Sequence, residues 1–255
     1  MSKIGKQAVL SVYLACNANA RDVVLAWLRT TGKAIGLPLL EVRAMLEGDA
    51  PYHGVFAAKH GLVAVQVVGA EDIPPLVAST PNSLAPMYLD LLVDYLYGQG
   101  GCPQVFDSSG IPRDPRTLLP RRVAPGKHFK FALGHVDLDV EPLPFKRTEL
   151  PRLAVLERSS GGVRWRDADA LGRAPRVLCE LRYKHIAHAL LENTLPEYEL
   201  ITVTRKVEGY VLAGRADFAI DVVLEGKTAR RNGLRPALTI MKCYPIALKN
   251  QVGIS

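Results

Sequence analysis

The stretch that most constrains the fold is ADFAIDVVLEGKTARRNGL, residues 216–234. Its apolar part, residues 218–224, predicts a buried strand, and a Gly-containing turn then leads into a short helix that stops at Asn232-Gly233. Strand, tight turn and helix N-terminus in this order direct backbone N–H groups outward, and the helix dipole favours phosphate. The stretch therefore predicts an anion site at the turn.

Each residue of the turn has an expected part in that site. Gly226 removes the Cβ that would keep a phosphate oxygen at a distance, Lys227 supplies charge and Thr228 supplies a hydroxyl. Asp221, on the strand, is placed to meet sugar hydroxyls or a metal-bound diphosphate. A Walker A loop is excluded, because its first glycine would fall at Asp221. A plain strand-to-helix turn without a ligand stays an open alternative.

Length and composition describe an ordinary soluble globular protein. The 255 residues suffice for one large domain or two lobes, with 48% hydrophobic and 22% charged residues. No apolar run approaches a membrane span and the first residues do not resemble a signal peptide, so we expect a cytoplasmic protein without a membrane partner. The four cysteines are far apart, which favours neither a zinc site nor a disulfide framework.

Charge points to the kind of ligand. The net charge of +7 and the pI near 9.3 fit an anionic partner such as a nucleotide or a sugar diphosphate. Because the basic residues are scattered rather than concentrated in one helix or tail, nucleic acid is the minor alternative.

Strand and helix patterns alternate in two blocks, which predicts an α/β fold with mainly parallel sheets. Among the predicted elements are a strand over 39–42 and an amphipathic helix over 84–97. We expect one lobe from residues 1–100 plus 235–255 and a second from residues 101–234, with 101–150 as a possible insertion.

Two further patterns contain metal-ligating residue types. Four polar residues alternate along one predicted strand, and a half-exposed strand explains them as well as a metal site does: His135, Asp137, Asp139 and Glu141. His185 and His188 are three apart on a predicted helix, but without a third ligand we expect surface or packing histidines.

Residues 176–240 carry a longer pattern. A predicted helix with Glu208 is followed by Gly214-Arg215-Ala216-Asp217, then by Asp221, Gly226 and Thr228, and finally by Asn232-Gly233-Leu234. This order resembles the catalytic domain of ATP phosphoribosyltransferase, the first enzyme of histidine biosynthesis, and Asp72-Ile73-Pro74 resembles a short motif of the same family.

The resemblance implies two α/β lobes like those of type II periplasmic binding proteins, with a cleft between them. It implies transfer of phosphoribosyl from 5-phosphoribosyl diphosphate to a nitrogen of a nucleotide or heterocycle, with Mg²⁺ on the diphosphate. The implied catalytic carboxylates are Glu208, Asp217 and Asp221, of which Asp221 would also meet the Mg²⁺-diphosphate. The implied phosphate-binding residues are Glu225, Gly226, Lys227 and Thr228. A homo-oligomer or a regulatory partner subunit is a further implication.

This chain departs from the family at two places. Glu225 stands where the family has Ser or Thr before the glycine, and Cys16-Asn17 stands in place of a Lys-Gly-Arg turn, with Arg21 the nearest cation. Two alternatives therefore stay open beside a divergent transferase. One is a non-catalytic relative that binds a small anion or serves as a partner subunit. The other is a different enzyme on the same scaffold, using Cys16 or His185.

Overall fold

The strands collect into two sheets, one in each of two compact units. The computed structural model describes residues 9–16, 20–99, 105–106, 112–113, 129–133, 136–143, 150–204 and 207–250. Unit 1 comprises Met1–Leu89, Pro103–Lys146 and Pro245–Ser255, and unit 2 comprises Asp90–Cys102 and Arg147–Tyr244.

Within the described residues, the sheet of unit 1 has the strand order β2-β3-β1-β4-β14-β8-β7-β5-β6. Its strands are β1 (Leu10–Ala15), β2 (His53–Ala58), β3 (Gly61–Val68), β4 (Ser83–Tyr88), β5 (Val105–Phe106), β6 (Pro112–Arg113), β7 (Phe129–Leu133), β8 (Val136–Pro142) and β14 (Pro245–Asn250). Strand β1 is buried from Val12 to Ala15 and lies between β3 and β4, parallel to both.

Along the chain, the helices of unit 1 fall between its first four strands. They are α1 (Arg21–Trp27), continued by a π-helical turn (Leu28–Gly32) into α2 (Lys33–Ile35), then α3 (Leu39–Glu47) and α4 (Ile73–Ser79). The strand predicted over 39–42 is wrong, because this segment begins α3. Val42 and Met45 are buried at helical spacing, and Gly48 ends the helix with a left-handed φ of 84°.

The helix predicted over 84–97 is also partly wrong. Residues 83–88 form β4, in which every residue is buried, and α5 (Leu89–Gly98) begins only afterwards. Strand β4 pairs along its whole length with β14. The sequence patterns did not predict this pairing. A fully buried strand loses the alternating pattern of polar and apolar residues, so a short apolar run fits a strand and a helix equally well.

Unit 2 is built on a sheet in the order β11-β10-β12-β9-β13. Its strands are β9 (Arg152–Arg158), β10 (Arg176–Glu180), β11 (Glu199–Val203), β12 (Phe218–Val223) and β13 (Leu234–Lys242). Besides α5, its helices are α6 (Lys184–Glu192), α7 (Val207–Leu212) and α8 (Lys227–Arg231), with a 3₁₀ segment at Trp165–Leu171. Residues of α7 and α8 pack with Ala219 and Val223 in one core cluster, so both helices cover the same face of the sheet.

The sheets are mixed rather than mainly parallel, which corrects the prediction. Strand β10 is parallel to β11 and β12, but β9 is antiparallel to both β12 and β13. In unit 1, β14 is antiparallel to β4 and β8. The hairpin of β2 and β3 is also antiparallel, because a short connection joins its strands, whereas parallel pairing needs a crossover.

The unit boundaries lie at other positions than those expected. Residues 90–102 belong to unit 2, residues 103–146 belong to unit 1, and the chain re-enters unit 1 only at residue 245. Helix α5 is held in unit 2 by Asp94, whose carboxylate accepts hydrogen bonds from the N–H groups of His185 and Ile186, both at 2.9 Å. Strands β8 and β14 pair with each other, so both belong to the same sheet. Such long-range pairings decide unit membership, and no local pattern reveals them.

Candidate functional site

The predicted strand–turn–helix is present in unit 2. Strand β12 ends at Val223 and α8 begins at Lys227. Gly226 lies between them with φ 66° and ψ 6°, the left-handed region in which side chains cost energy. A Cβ at this position would lie 3.3 Å from Nη1 of Arg230, so glycine also keeps the turn from crowding its own helix.

A pocket of about 300 Å³ opens at this turn. Its lining comes from the end of β12, the turn and the start of α8, with one residue from β9: Leu156, Asp221, Val222, Val223, Leu224, Glu225, Gly226, Lys227, Thr228 and Ala229. The start of α8 has no side-chain cap, so its first N–H groups are directed outward without a side-chain acceptor. The structure thus brings all four predicted phosphate-binding residues and Asp221 into one pocket.

The charged residues of the turn partly neutralise each other. Glu225 and Lys227 form an ion pair, with their side chains 51% and 68% exposed. The carbonyl oxygen of Glu225 also accepts a hydrogen bond from Nη2 of Arg230 at 3.1 Å. An exposed ion pair contributes only about 0–1 kcal/mol, so an incoming anion competes with Glu225 for Lys227 at small cost. Repulsion of that anion by the Glu225 carboxylate is the larger obstacle.

Asp221 lies on the face of the sheet that α7 and α8 cover. Ala219 and Val223 are each two residues from Asp221 along β12, so all three face the same side of the sheet. Ala219 and Val223 belong to the core cluster beneath the helices. Its side chain is partly exposed, and Oδ1 accepts a hydrogen bond from the N–H of Val222 at 2.7 Å. Glu208 lies in α7, on the same side of the sheet, but its side chain is outside what the structure describes.

Asp217 is not part of this pocket. It precedes β12, at the opposite end from the turn, and four residues of extended chain separate it from Asp221 by about 13 Å. Its carboxylate accepts hydrogen bonds from both terminal nitrogens of Arg173 and from the backbone N–H of Arg176. Burial alone would raise its pKa, but these partners hold the pKa of Asp217 below its ordinary value. The arrangement is that of a structural ion pair.

The remaining predicted residues lie in unit 1. Cys16 is exposed directly after β1, and its N–H donates to the carbonyl of Val68 at 3.0 Å. Arg21, at the start of α1, donates to Oε1 of Glu47 at 3.0 Å. Asn17 lies outside the described residues. The cation expected near a substrate is therefore already paired with a carboxylate of its own unit.

Sequence reasoning missed Arg182, which follows β10, the parallel neighbour of β12. Its Nη2 lies 2.5 Å from Oε2 of Glu180, and the charge of Asp221 reaches it. The available signal was its position, because charged residues that directly follow adjacent parallel strands gather at the same sheet edge.

The implied Mg²⁺ fits the residues present only in a limited way. Among the described residues, no three His, Cys, Asp or Glu side chains converge as a metal site would require. Asp221 offers one carboxylate beside the turn, which suits an ion held mainly by substrate phosphates. Of the four polar residues predicted along one strand, Glu141 pairs with Lys249 at 2.5 Å, and His135 lies outside the described residues. Of the two histidines on the predicted helix, His188 lies with its Nδ1 3.0 Å from the hydroxyl of Tyr198.

A curated relative shares part of the chain. No protein-family model matches the chain. An ATP phosphoribosyltransferase from a Nitratiruptor species is 30% identical over 125 residues, which are 47% of this chain. The resemblance predicted from the sequence is confirmed. The match spans 58% of that relative's length, less than two thirds of it.

A solved structure with the same fold is the ATP phosphoribosyl transferase (HisG:HisZ) complex from Thermotoga maritima. It matches with a TM-score of 0.58 over 95% of this chain and 88% of that chain, at 12% identity. At this identity the likeness concerns the fold alone. It confirms the predicted α/β fold in two units. Within the described residues, no helix has both the length and the apolar character that a membrane span needs.

Proposed function

We propose that this chain is a phosphoribosyltransferase-like protein whose turn at residues 224–228 binds the phosphate of a phosphorylated sugar. The observation that carries the proposal is the left-handed Gly226 between β12 and α8, with the pocket that it opens beside Asp221. The 30% identical ATP phosphoribosyltransferase supports the same interpretation. The proposed reaction transfers phosphoribosyl from 5-phosphoribosyl diphosphate to a nitrogen of a nucleotide or heterocycle.

The residues of the pocket divide that task by their chemistry. Backbone N–H groups at the start of α8 and the hydroxyl of Thr228 would hold the phosphate, with Lys227 supplying charge. Loss of diphosphate leaves positive charge on the sugar ring, and the carboxylate of Asp221 stabilises such charge. Glu208 lies in α7, which covers the same face of the sheet. Bound Mg²⁺ would neutralise the leaving diphosphate.

A second function is favoured by the charges of the turn and of α1. Glu225 holds Lys227 in an ion pair, and Glu47 holds Arg21, so two cations that a transferase would direct to its substrates are engaged. A protein with this pattern fits a non-catalytic subunit that binds a small anion and assembles with a catalytic partner or with further copies of itself. The Thermotoga maritima structure is a complex of two proteins, HisG and HisZ. The cytoplasmic location stays a prediction.

Calorimetric titration separates these proposals. The full chain is titrated with 5-phosphoribosyl diphosphate and Mg²⁺, and diphosphate release is then measured with a set of nucleotides and heterocycles. Binding with release supports the transferase, and binding without release for any acceptor supports the subunit. Absence of binding at millimolar ligand rejects the transferase.

A matched pair of variants tests the location of binding. Thr228→Ala removes the hydroxyl in the pocket, whereas Thr239→Ala removes an exposed hydroxyl from β13 in the same unit. We expect only Thr228→Ala to weaken binding, by about tenfold if the hydroxyl donates to a charged phosphate oxygen. Equal affinities of the two variants would place the ligand elsewhere.

A further inference from the structure

Unit 2 contains a second pocket that is separate from the turn. It has a volume of about 350 Å³ and lies between β9, β13 and the 3₁₀ segment. Glu157 lines it, whereas the preceding residue, Leu156, lines the pocket of the turn. Adjacent residues of a strand face opposite sides of a sheet, so the two pockets lie on opposite faces.

Glu157 is the fixed centre of this second pocket. It is 4% exposed, and its Oε2 accepts the backbone N–H of Trp165 at 2.7 Å. Its Oε1 accepts hydrogen bonds from Nε of Arg235 at 2.9 Å and Nη1 of Arg164 at 3.3 Å. Burial alone would raise the pKa of Glu157, but these donors outweigh burial and hold the pKa below its ordinary value. The carboxylate therefore stays ionised and orders both arginines.

The pocket keeps an excess of positive charge after this pairing. Two guanidinium groups share one carboxylate, which leaves one net positive charge, and their side chains are 32% exposed at Arg164 and 48% exposed at Arg235. A third guanidinium lines the pocket at Arg166, where the side chain is 85% exposed and meets Asp167 at 3.4 Å. Guanidinium groups present several N–H donors in a planar fork that matches the oxygens of phosphate and carboxylate.

The aromatic wall of the pocket is also held in place. Trp165 packs edge-to-face on Phe218, with ring centroids 5.1 Å apart, and Phe218 is fully buried. Arg164 is tied to the same segment, since Nη1 also donates to the carbonyl of Arg158 at 3.0 Å. Charged donors and an aromatic side chain that are ordered before a ligand arrives lower the entropic cost of binding.

We propose that this pocket binds a small metabolite through its oxyanion, a phosphate or carboxylate group. The three arginines would receive the oxyanion, and Trp165 would contact the body of the molecule. The volume suits a ligand of this size, since small-molecule pockets begin at about 300 Å³. This proposal does not depend on the function proposed for the turn.

Tryptophan fluorescence of the full chain tests the proposal. The chain has two tryptophans, and Trp27 is fully buried in unit 1. A change in emission when a ligand enters this pocket therefore comes from Trp165, which lines it. Inorganic phosphate and citrate are titrated separately at constant ionic strength. A saturable change with phosphate, citrate or both supports the proposal and identifies the preferred oxyanion. No saturable change with either probe overturns it.

Matched variants distinguish a site from general charge effects. Arg235→Gln should weaken the response at least about tenfold, since it removes charge-assisted hydrogen bonds to the oxyanion. Arg166→Gln should weaken it without disturbing Glu157, so that the test survives if Arg235→Gln fails to fold. Arg43→Gln removes the same charge from an exposed side chain of α3 in unit 1 and should change nothing. Equal effects of Arg43→Gln and Arg166→Gln overturn the proposal, as does loss of the response in Thr228→Ala.

Discussion

Arg173 and Asp217 form a two-point ion pair, with Nη1 to Oδ2 at 2.8 Å and Nη2 to Oδ1 at 2.7 Å. The pair joins the segment before β10 to the segment before β12, and the N–H of Arg176 adds a third hydrogen bond to the carboxylate at 2.8 Å. Asp217 therefore aligns two parallel strands at the end away from the turn. A carboxylate held in this way is positioned for stability rather than for contact with the proposed sugar phosphate.

Substitution of Asp217 should consequently reduce stability and leave ligand binding unchanged. Asp217→Ala should lower the free energy of unfolding by about 1–2 kcal/mol, because it leaves the N–H of Arg176 without its acceptor. Because the pKa of Asp217 lies below its ordinary value of 3.8, its contribution is present above that pH and is lost as the pH falls further. Urea unfolding and calorimetric titration measure the two effects. A large loss of affinity at unchanged stability would instead indicate a catalytic role.

Asp94 should give the opposite dependence on pH. Burial raises its pKa to about 6, and the charge of nearby Asp90 adds to this, although the N–H groups of His185 and Ile186 act against it. A raised pKa means that the folded state favours the protonated form. The resulting stability is fully present below the ordinary value of 3.8 and is lost as the pH rises through about 6.

Two variants of Asp94 test this prediction. Asp94→Asn keeps an oxygen acceptor for both N–H groups and removes the charge, so the change in stability between about pH 5 and pH 7.5 should be smaller than in the unsubstituted chain. Asp94→Ala leaves two N–H groups at the start of α6 unpaired and should cost about 1–3 kcal/mol relative to Asn. Chemical denaturation at both pH values measures this. An identical pH dependence in Asp94→Asn and the unsubstituted chain would refute the assignment.

Alanine substitutions at Gly226 and Gly233 distinguish the effect of backbone strain from the effect on ligand binding. Both glycines have left-handed φ angles, 66° and 59°, and they flank the same helix, α8. Alanine at either position should cost about 1–2 kcal/mol of stability. Only Gly226→Ala should also weaken binding of 5-phosphoribosyl diphosphate, because Gly226 lines the pocket and Gly233 does not. If both variants lose affinity equally, the turn has no special part in binding.

Replacing Glu225 should improve the turn as a phosphate site. Glu225→Thr removes a carboxylate from the pocket and releases Lys227 from its ion pair. We expect the affinity for 5-phosphoribosyl diphosphate to rise by about tenfold, equivalent to about 1.4 kcal/mol of relieved repulsion. Glu197→Thr is the matched control, since Glu197 is exposed in the same unit and does not line the pocket. A gain of equal size in both variants would mean that only the overall charge matters.

The sequence alone determined the turn and its helix. A left-handed glycine after an apolar strand and Asn232-Gly233 at the helix end are local signals, because neighbouring residues decide these backbone conformations. The order of motifs from residue 176 to residue 240 is visible in the sequence itself. It sufficed to predict the resemblance and the fold class.

Only the tertiary structure decided which charged residues meet. Asp217 pairs with Arg173, 44 residues away, and Glu157 pairs with Arg235, 78 residues away. Both pairs depend on strand order and register, which arise from packing between distant segments and leave no pattern at short range. For the same reason the arginine pocket around Glu157 has no signature in the sequence.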